Sequence, residues 1–404
     1  MNNRIYLDYA AATPLDERVK KVMDEYLSSG GAHSTCSGQA NPSGLYHESR
    51  EAKKALDEAR KTVAGFVGAK PHEIIFTSST TESNNIAILG VAMANKEKGM
   101  HVVTTAVEHV SVLNPFKRLE EYGFEVTYLP VDEFGRVSAD QVKQTIRPDT
   151  ILVSVIFASN EIGTISPIGP IGRMIKDSKN QDGFPYFFTD AAQAVPHIKI
   201  NVDNLNIDLM SFSSGKIYGP KGAAALYIKT GTKLSSVMVG GSQENGLRPG
   251  TQDVAGIVGF AKAIEIIQTE GEKEDVQLAK WRDRIIKEVK TALPEVLLND
   301  PPTEEQAHPT ERLANNISFS IAGVKGEELV MVMDEAGFAI STRSACDTKN
   351  STPPHVIKAL GRTDDEAWGT VRITLGRFTT VEDVNNFIKV FVDKIKQLKL
   401  ISNI

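Results

Sequence analysis

Between residues 73 and 214 six short β-rich runs, "EIIFTSS", "HVVTTAVEH", "EVTYLPV", "ILVSVIFAS", "YFFTDAAQA" and "IDLMSFSS", alternate with amphipathic helical patterns or long connections. Parallel strands need crossovers of a dozen or more residues, usually helices. The alternation therefore predicts an α/β domain on a mostly parallel, buried sheet. "VSADQVKQTI" supports one of its helices, because Ser138 with Gln141 three residues on forms a capping box.

From about 253 to 292 the pattern turns helical, in "DVAGIVGFAKAIEIIQ" and then "DVQLAKWRDRIIKEVKTAL", before the Pro-rich "LPEVLLNDPPTEEQAHP". A boundary is expected there. Beyond it "ANNISFSI", "GEELVMVMDEAG", "FAISTRSA", "PPHVIKALG", "TVRITL" and "TVEDVNNFIKVFVDKIKQL" read as β-α-β-α-β-α, a smaller second domain. With 404 residues, two or three domains are expected at roughly 100 to 200 residues each.

Charge and cysteine usage remove several function classes. A net charge of −6 gives no basic field for bare nucleic acid or an anionic membrane. No apolar run approaches the roughly 20 residues that span a bilayer, and "MNNRIYLDYAAATP" lacks the basic start and apolar stretch of a signal peptide, so a cytoplasmic protein is expected. The two cysteines, Cys36 and Cys346, lie far apart without a C-x-x-C partner, which argues against a disulfide framework or a cysteine zinc site. The histidines form no H-x-x-x-H pair, and no metal is expected.

Three stretches place chemically capable residues at strand ends, where open α/β sheets put their ligand crevice. In "FTSSTTESNN" a strand ends at Thr77, and Ser79 with Glu82 reads as a capping box whose helix presents the N–H groups of Thr80 and Thr81 to an anion. A plain helix cap is the bland alternative. In "FTDAAQAV" Asp190 follows directly on an apolar strand, with Gln193 three residues later; alone, Asp190 could serve as a cap. In "SFSSGKIYGPKG" Lys216 sits among small residues that leave it room to approach a ligand, with Lys221 as a local competitor. A lone lysine is more often a surface charge. A phosphate site, an acid and a lysine in that order suit a pyridoxal phosphate enzyme, in which Lys forms a Schiff base and an acid meets the pyridinium nitrogen.

At this point the chain resembles the cysteine desulfurases of the NifS/IscS type, fold-type I pyridoxal phosphate enzymes. The resemblance runs nearly end to end, through "IYLDYAAATP", "NPSGLYHESREA", "EIIFTSSTTESNN", "EHVSVLNP", "SNEIGTISPI", "TDAAQAV", "SFSSGKIYGPKG", "GGSQENGLRPGTQDV", "STRSAC" and "VRITLGRFTT". It implies a fold-type I α/β architecture, with a large cofactor-binding domain at 16–262 and a smaller α+β domain from 1–15 and 263–404. It also implies a homodimer that uses pyridoxal 5'-phosphate, takes L-cysteine and passes sulfur to an acceptor protein. The site residues follow position by position. Lys216 carries the cofactor and moves protons; Asp190 pairs with its ring nitrogen, Gln193 with its phenolic oxygen, and His109 lies over the ring with a part in handling the substrate thiol's protons. Thr80, Thr81 and Ser213 bind the phosphate, and Thr251 reaches it from the partner subunit. Asn160 and Arg372 match the positions for the substrate carboxylate. Cys346 matches the sulfur-accepting cysteine, in a polar segment resembling the long-loop branch that hands sulfur directly to acceptor proteins. An iron–sulfur scaffold, a tRNA-thiolation enzyme or a DNA phosphorothioation system is each an acceptor of the implied kind.

No motif claims Cys36, and a lone cysteine without a nearby base reads as structural. The chain departs from the family pattern at Gly215, where a histidine that contacts the phosphate is usual, at Arg343 for a usual glycine, and at Asp347 for a usual Ser or Thr. Ser79 and Ser159 also replace common residues, without removing an expected contact. Two other readings stay open on the residues alone: a different fold-type I activity, such as an aminotransferase or selenocysteine lyase, and a non-catalytic sulfur-transfer scaffold.

Overall fold

The computed structural model describes residues 4–27, 40–302, 311–342 and 352–402. In chain order the strands are β1 (Ile5–Tyr6), β2 (Ile74–Thr77), β3 (His101–Thr105), β4 (Glu125–Leu129), β5 (Thr150–Ser154), β6 (Tyr186–Asp190), β7 (Leu209–Ser213), β8 (Ala224–Ile228), β9 (Leu297–Leu298), β10 (Asn316–Ser320), β11 (Phe338–Ala339) and β12 (Thr370–Thr374). The α-helices are α1 (Glu17–Leu27), α2 (His47–Val67), α3 (Thr80–Asn95), α4 (Val110–Glu121), α5 (Ala139–Thr145), α6 (Ile168–Asp177), α7 (Val254–Ala292), α8 (Gly326–Glu335), α9 (His355–Ala359), α10 (Asp364–Trp368) and α11 (Val381–Ser402).

Seven strands form one sheet in the order β2-β8-β7-β6-β5-β3-β4. The pairs from β7 to β4 are parallel, and β8 runs antiparallel to both of its neighbours. The mostly parallel sheet expected from the alternation is present. Both faces are apolar, with the period of two that a strand imposes. Ile74 and Phe76 pack into one cluster with Val103, Val153, Phe187 and Met210, while Ile75 joins Val102, Leu152, Phe188 and Leu209 on the other face. β2, β3, β5, β6 and β7 therefore all end at the same edge. The strand order reverses between β3 and β5, which is where such sheets open a crevice.

The C-terminal part follows the expected β-α-β-α-β-α sequence, with α10 as an added short helix. Its strands form an antiparallel sheet, β12-β10-β9, and β11 pairs separately and in parallel with the N-terminal β1. Leu7, Phe319, Val371, Ile373, Phe387 and Phe391 belong to a second core. The two helical patterns read between 253 and 292 are one helix of 39 residues, α7, capped by Asp253, whose side chain accepts from the Gly256 N–H. At about 1.5 Å per residue it is long enough to serve both cores: Ile257 to Ile267 pack in the first and Leu278 to Leu293 in the second. Among the described residues no helix is long and apolar enough to cross a membrane.

Candidate active site

A cleft of about 160 Å³ opens at the carboxyl edge of the large sheet, lined by Thr80, Thr81, His109, Asn160, Asp190, Gln193, Lys216 and Arg372, with Ala10, Ala11, Ile156, Ala158 and Ala192. Eight residues singled out in the sequence thus meet in one place, although they come from segments spread over nearly three hundred positions.

Lys216 ends the short turn Ser214–Lys216 that follows β7. Its Nζ donates to the carbonyls of Ala10 at 2.7 Å and Ala11 at 2.6 Å. The lysine turn is sewn to the same N-terminal segment, since both the N–H and the hydroxyl of Thr13 donate to the Gly215 carbonyl and the Tyr218 N–H donates to Thr13 Oγ1. The small neighbours are partly a packing need: a Cβ on Gly219 would lie 1.9 Å from Ser214 Oγ. Gly215 is under no such constraint, because a Cβ there meets only Lys221, at 3.6 Å. Lys221 itself is exposed and outside the cleft lining.

Asp190, at the end of β6, accepts from Asn84 Nδ2 at 2.9 Å through Oδ2 and from the Ala192 N–H at 3.0 Å through Oδ1. Gln193 Nε2 donates to the Ala10 carbonyl at 2.9 Å, sharing that oxygen with Lys216. Thr80 and Thr81 open α3, whose N-terminus is positive and leaves its first N–H groups without intrahelical partners. The cap differs from the expected reciprocal box. Ser79 accepts from the Glu82 N–H, but the Glu82 carboxylate turns to the Ser78 N–H and to Arg248 Nε instead of the Ser79 N–H. An incoming guanidinium and a donor one residue earlier outcompete the box geometry.

His109 is the N-cap of α4, and its Nδ1 accepts from the Ser111 N–H at 3.1 Å. Burial pushes the imidazole below its ordinary pKa; Asp190 opposes that, and Lys216, His355 and Arg372 reinforce it. His355, at the start of α9, donates from Nε2 to the Glu108 carbonyl at 2.9 Å. Arg372, in β12, is 2% exposed. Its guanidinium reaches the Asn160 carbonyl at 3.1 Å and Asp8 Oδ1 at 2.6 Å, and its Nε has no hydrogen-bond partner among the described residues.

Ser213 ends β7 but does not line the cleft, and Thr251 lies exposed on the loop before α7. That loop is pinned by Arg60, which forms a two-pronged pair with Glu244 at 2.8 and 2.7 Å. Cys346, Cys36, Arg343 and Asp347 lie outside the described residues.

Several contributors have no sequence signal. Ala10 and Ala11 act through carbonyls. Asn84 reads as one more polar residue on a helix. Glu108 is wholly buried, accepts from the Ile156 N–H at 2.7 Å and from Thr105 at 3.1 Å, and its Oε2 has no hydrogen-bond partner among the described residues. Burial, with Asp190 acting in the same sense, raises its pKa to about 8.

The donor set fits pyridoxal 5'-phosphate. Two threonines at a helix N-terminus suit a phosphate, a hydrogen-bonded carboxylate suits a protonated ring nitrogen, and a primary amine suits the aldehyde. Arg372, with its buried unpartnered Nε, suits an amino-acid carboxylate.

Comparison with known proteins agrees with that fit. Residues 5–387 match the family model for aminotransferase class-V. A cysteine desulfurase IscS of Dictyoglomus turgidum is 46% identical over 402 residues, covering 100% of this chain and 97% of that protein. A solved structure described as a NifS-like protein superposes with a TM-score of 0.87 at 31% identity, covering 98% of this chain and all of the other. A structure of SspA in complex with cysteine gives a TM-score of 0.77 at 35% identity over 93% of this chain and all of the other.

Proposed function

The chain belongs to the class-V aminotransferase family, whose members depend on pyridoxal phosphate, and is a cysteine desulfurase; on that premise we propose which of its residues do the work. The carrying observation is the convergence of Lys216, Asp190, the Thr80–Thr81 helix end and Arg372 in one cleft. When bound, pyridoxal 5'-phosphate supplies an electron sink for bond breaking at the amino-acid α-carbon. Thr80, Thr81 and Ser213 would hold the phosphate, with Thr251 supplied by a second copy in a homodimer. Asp190 would hold the ring nitrogen, and Gln193 the phenolic oxygen.

Arg372 and Asn160 orient the carboxylate of L-cysteine. Lys216, whose amine points into the cleft, would hold the cofactor through its aldehyde and would move the proton at the substrate α-carbon. His109, which lines the same cleft, would meet the cofactor ring and take part in handling the proton of the substrate thiol. The Cys346 thiolate attacks that sulfur, so that the carbon–sulfur bond breaks, a sulfur–sulfur bond forms, and the carbon skeleton takes up a proton. L-cysteine and the Cys346 thiol become L-alanine and a Cys346 persulfide, which an acceptor protein then removes. We assign the large unit to 16–262, and the small unit with the cysteine segment to 1–15 and 263–404, in a cytoplasmic enzyme.

The test is incubation with L-cysteine, measuring alanine and mass-mapping the persulfide. Alanine should form, the added sulfur should sit on Cys346, Lys216→Ala should form no alanine, and Cys346→Ser should take up no sulfur at that position. Sulfur mapped elsewhere, or turnover by Lys216→Ala, refutes the assignment.

A further inference from the structure

Below the cleft lies a buried chain of polar groups with no part in the roles just given. Asn84, on α3 and fully buried, donates from Nδ2 to Asp190 Oδ2 at 2.9 Å and to Ser111 Oγ at 2.8 Å, while its Oδ1 accepts from Ser211 Oγ at 2.5 Å. The amide orientation follows from chemistry. Turned over, it would set its oxygen against a carboxylate and leave the Ser211 hydroxyl without its acceptor.

With Asn84 donating, Ser111 Oγ is an acceptor on that side. It stands 2.7 Å from His109 Nδ1. The Ser111 backbone N–H, which can only donate, points to the same nitrogen at 3.1 Å. Nδ1 therefore carries the lone pair, the Ser111 hydroxyl gives its proton to that lone pair, and the neutral ring keeps its proton on Nε2.

We propose that Asn84 and Ser111 are positioning residues that lock His109 as the neutral tautomer protonated at Nε2, tying the imidazole to Asp190 through hydrogen bonds that run outward from the Asn84 amide, to Asp190 on one side and through Ser111 to His109 on the other. The inference rests on the reading that His109 lies in the substrate site. Its consequence is that His109 enters the reaction as an N–H donor, able to hold a sulfur anion. It becomes a cation only by placing a proton on Nδ1, which breaks the Ser111 N–H contact that caps α4 and forces the Ser111 hydroxyl to turn round from donor to acceptor. Among the described residues the charged groups acting on the ring are Asp190 from the end of β6, Lys216 after β7, His355 on α9 and Arg372 on β12. Of these only Asp190 favours the cation, and Asn84 occupies that carboxylate.

The test is nitrogen NMR of cofactor-loaded protein labelled at histidine, with the His109 signal assigned by His109→Gln. Wild type should show a bare Nδ1 and a protonated Nε2 from pH 6 to 9. In Ser111→Ala the midpoint of His109 protonation should rise by about one pH unit, the worth of roughly one hydrogen bond. Ser111→Thr, which keeps the hydroxyl, should restore it. Asn84→Ser, too short to span Asp190 and Ser111, should shift it in the same sense by less. The acid limb of the alanine-formation profile should move with the midpoint. A proton on Nδ1 in wild type, or an unchanged midpoint in Ser111→Ala, overturns the proposal. If the signals behave as expected while no variant forms alanine, the functional reading fails and the tautomer lock stands.

Discussion

Glu108 offers a stability measurement whose sign is opposite to that of most acidic residues. Its carboxyl is fully buried and its pKa is raised from 4.5 to about 8, chiefly by burial and also by Asp190. The folded protein therefore keeps a proton on Glu108 that the unfolded chain has lost. Below about pH 4.5 both states are protonated and the residue costs nothing. Between there and pH 8 each unit removes about 1.4 kcal/mol of stability, reaching about 5 kcal/mol at the alkaline end. Glu108→Gln replaces the neutral acid by a neutral amide of nearly the same size, which still accepts from the Ile156 N–H and the Thr105 hydroxyl. The variant should be close to wild type at acid pH and gain on it steadily. The gain should grow by about 3 kcal/mol between pH 5.5 and 7.5. The assay is thermal or denaturant unfolding of both proteins side by side at each pH, so that every other titrating group cancels in the difference. A difference that does not change with pH, or one that turns against the variant in alkali, means that Glu108 is ionised in the folded protein and refutes the reasoning.

Asp8→Ala strips the buried Arg372 of its anionic partner, and should cost about 3 kcal/mol of stability and raise the KM for L-cysteine at least tenfold; unfolding and alanine kinetics at wild-type values would contradict it. Gly215→His has open space at the Cβ position and should slow cofactor loss on dialysis about tenfold, as expected for a regained hydrogen bond to a charged group; unchanged or faster loss would sink that idea. Arg60→Ala leaves Glu244 buried without its cation, in a loop whose Glu244 and Asn245 hold left-handed backbone at φ 48° and 58°. We expect a loss of about 3 kcal/mol and weaker cofactor retention, read by unfolding and by absorbance of the bound cofactor.

What the sequence carried legibly was local or periodic. The six runs became β2 to β7, the Ser138–Gln141 capping box formed with both of its bonds, and the C-terminal alternation held its order. What it did not carry depends on approach in space. Nothing in "DVAGIVGFAKAIEIIQ" and "DVQLAKWRDRIIKEVKTAL" says that the polar stretch between them stays helical, because that is settled by two cores lying within reach of one rod. Glu82 left its box for Ser78 and Arg248, the latter 166 positions away. Eight of the expected site residues meet in the cleft because strand ends are a topological address, readable from apolar runs. Asn84 and Glu108 were silent because their importance lies in burial beside Asp190, and adjacency in sequence does not encode that.

On the roles proposed for Lys216 and Arg372, the N-terminal segment explains how the amine site and the carboxylate site hold a fixed separation although they belong to different sheets. Lys216 hangs from the end of β7 in the large sheet, and Arg372 is part of β12 in the small one. Both are held by residues just past β1: Lys216 by the carbonyls of Ala10 and Ala11, Arg372 by the carboxylate of Asp8. The segment is itself clamped at both ends, by Thr374, which accepts from the Ala10 N–H through its hydroxyl, and by Thr13 on Gly215. An amino acid must present its nitrogen to one group and its carboxylate to the other across a distance fixed by its own bonds. A two-residue stretch of backbone between Asp8 and Ala10 is too short to let that distance drift, since each residue spans at most about 3.6 Å. The same clamp makes the carbonyls a temporary berth for Lys216, because the amine is already aimed into the cleft before any aldehyde arrives. Preorganisation of this kind lowers the cost of binding without adding a contact to the substrate.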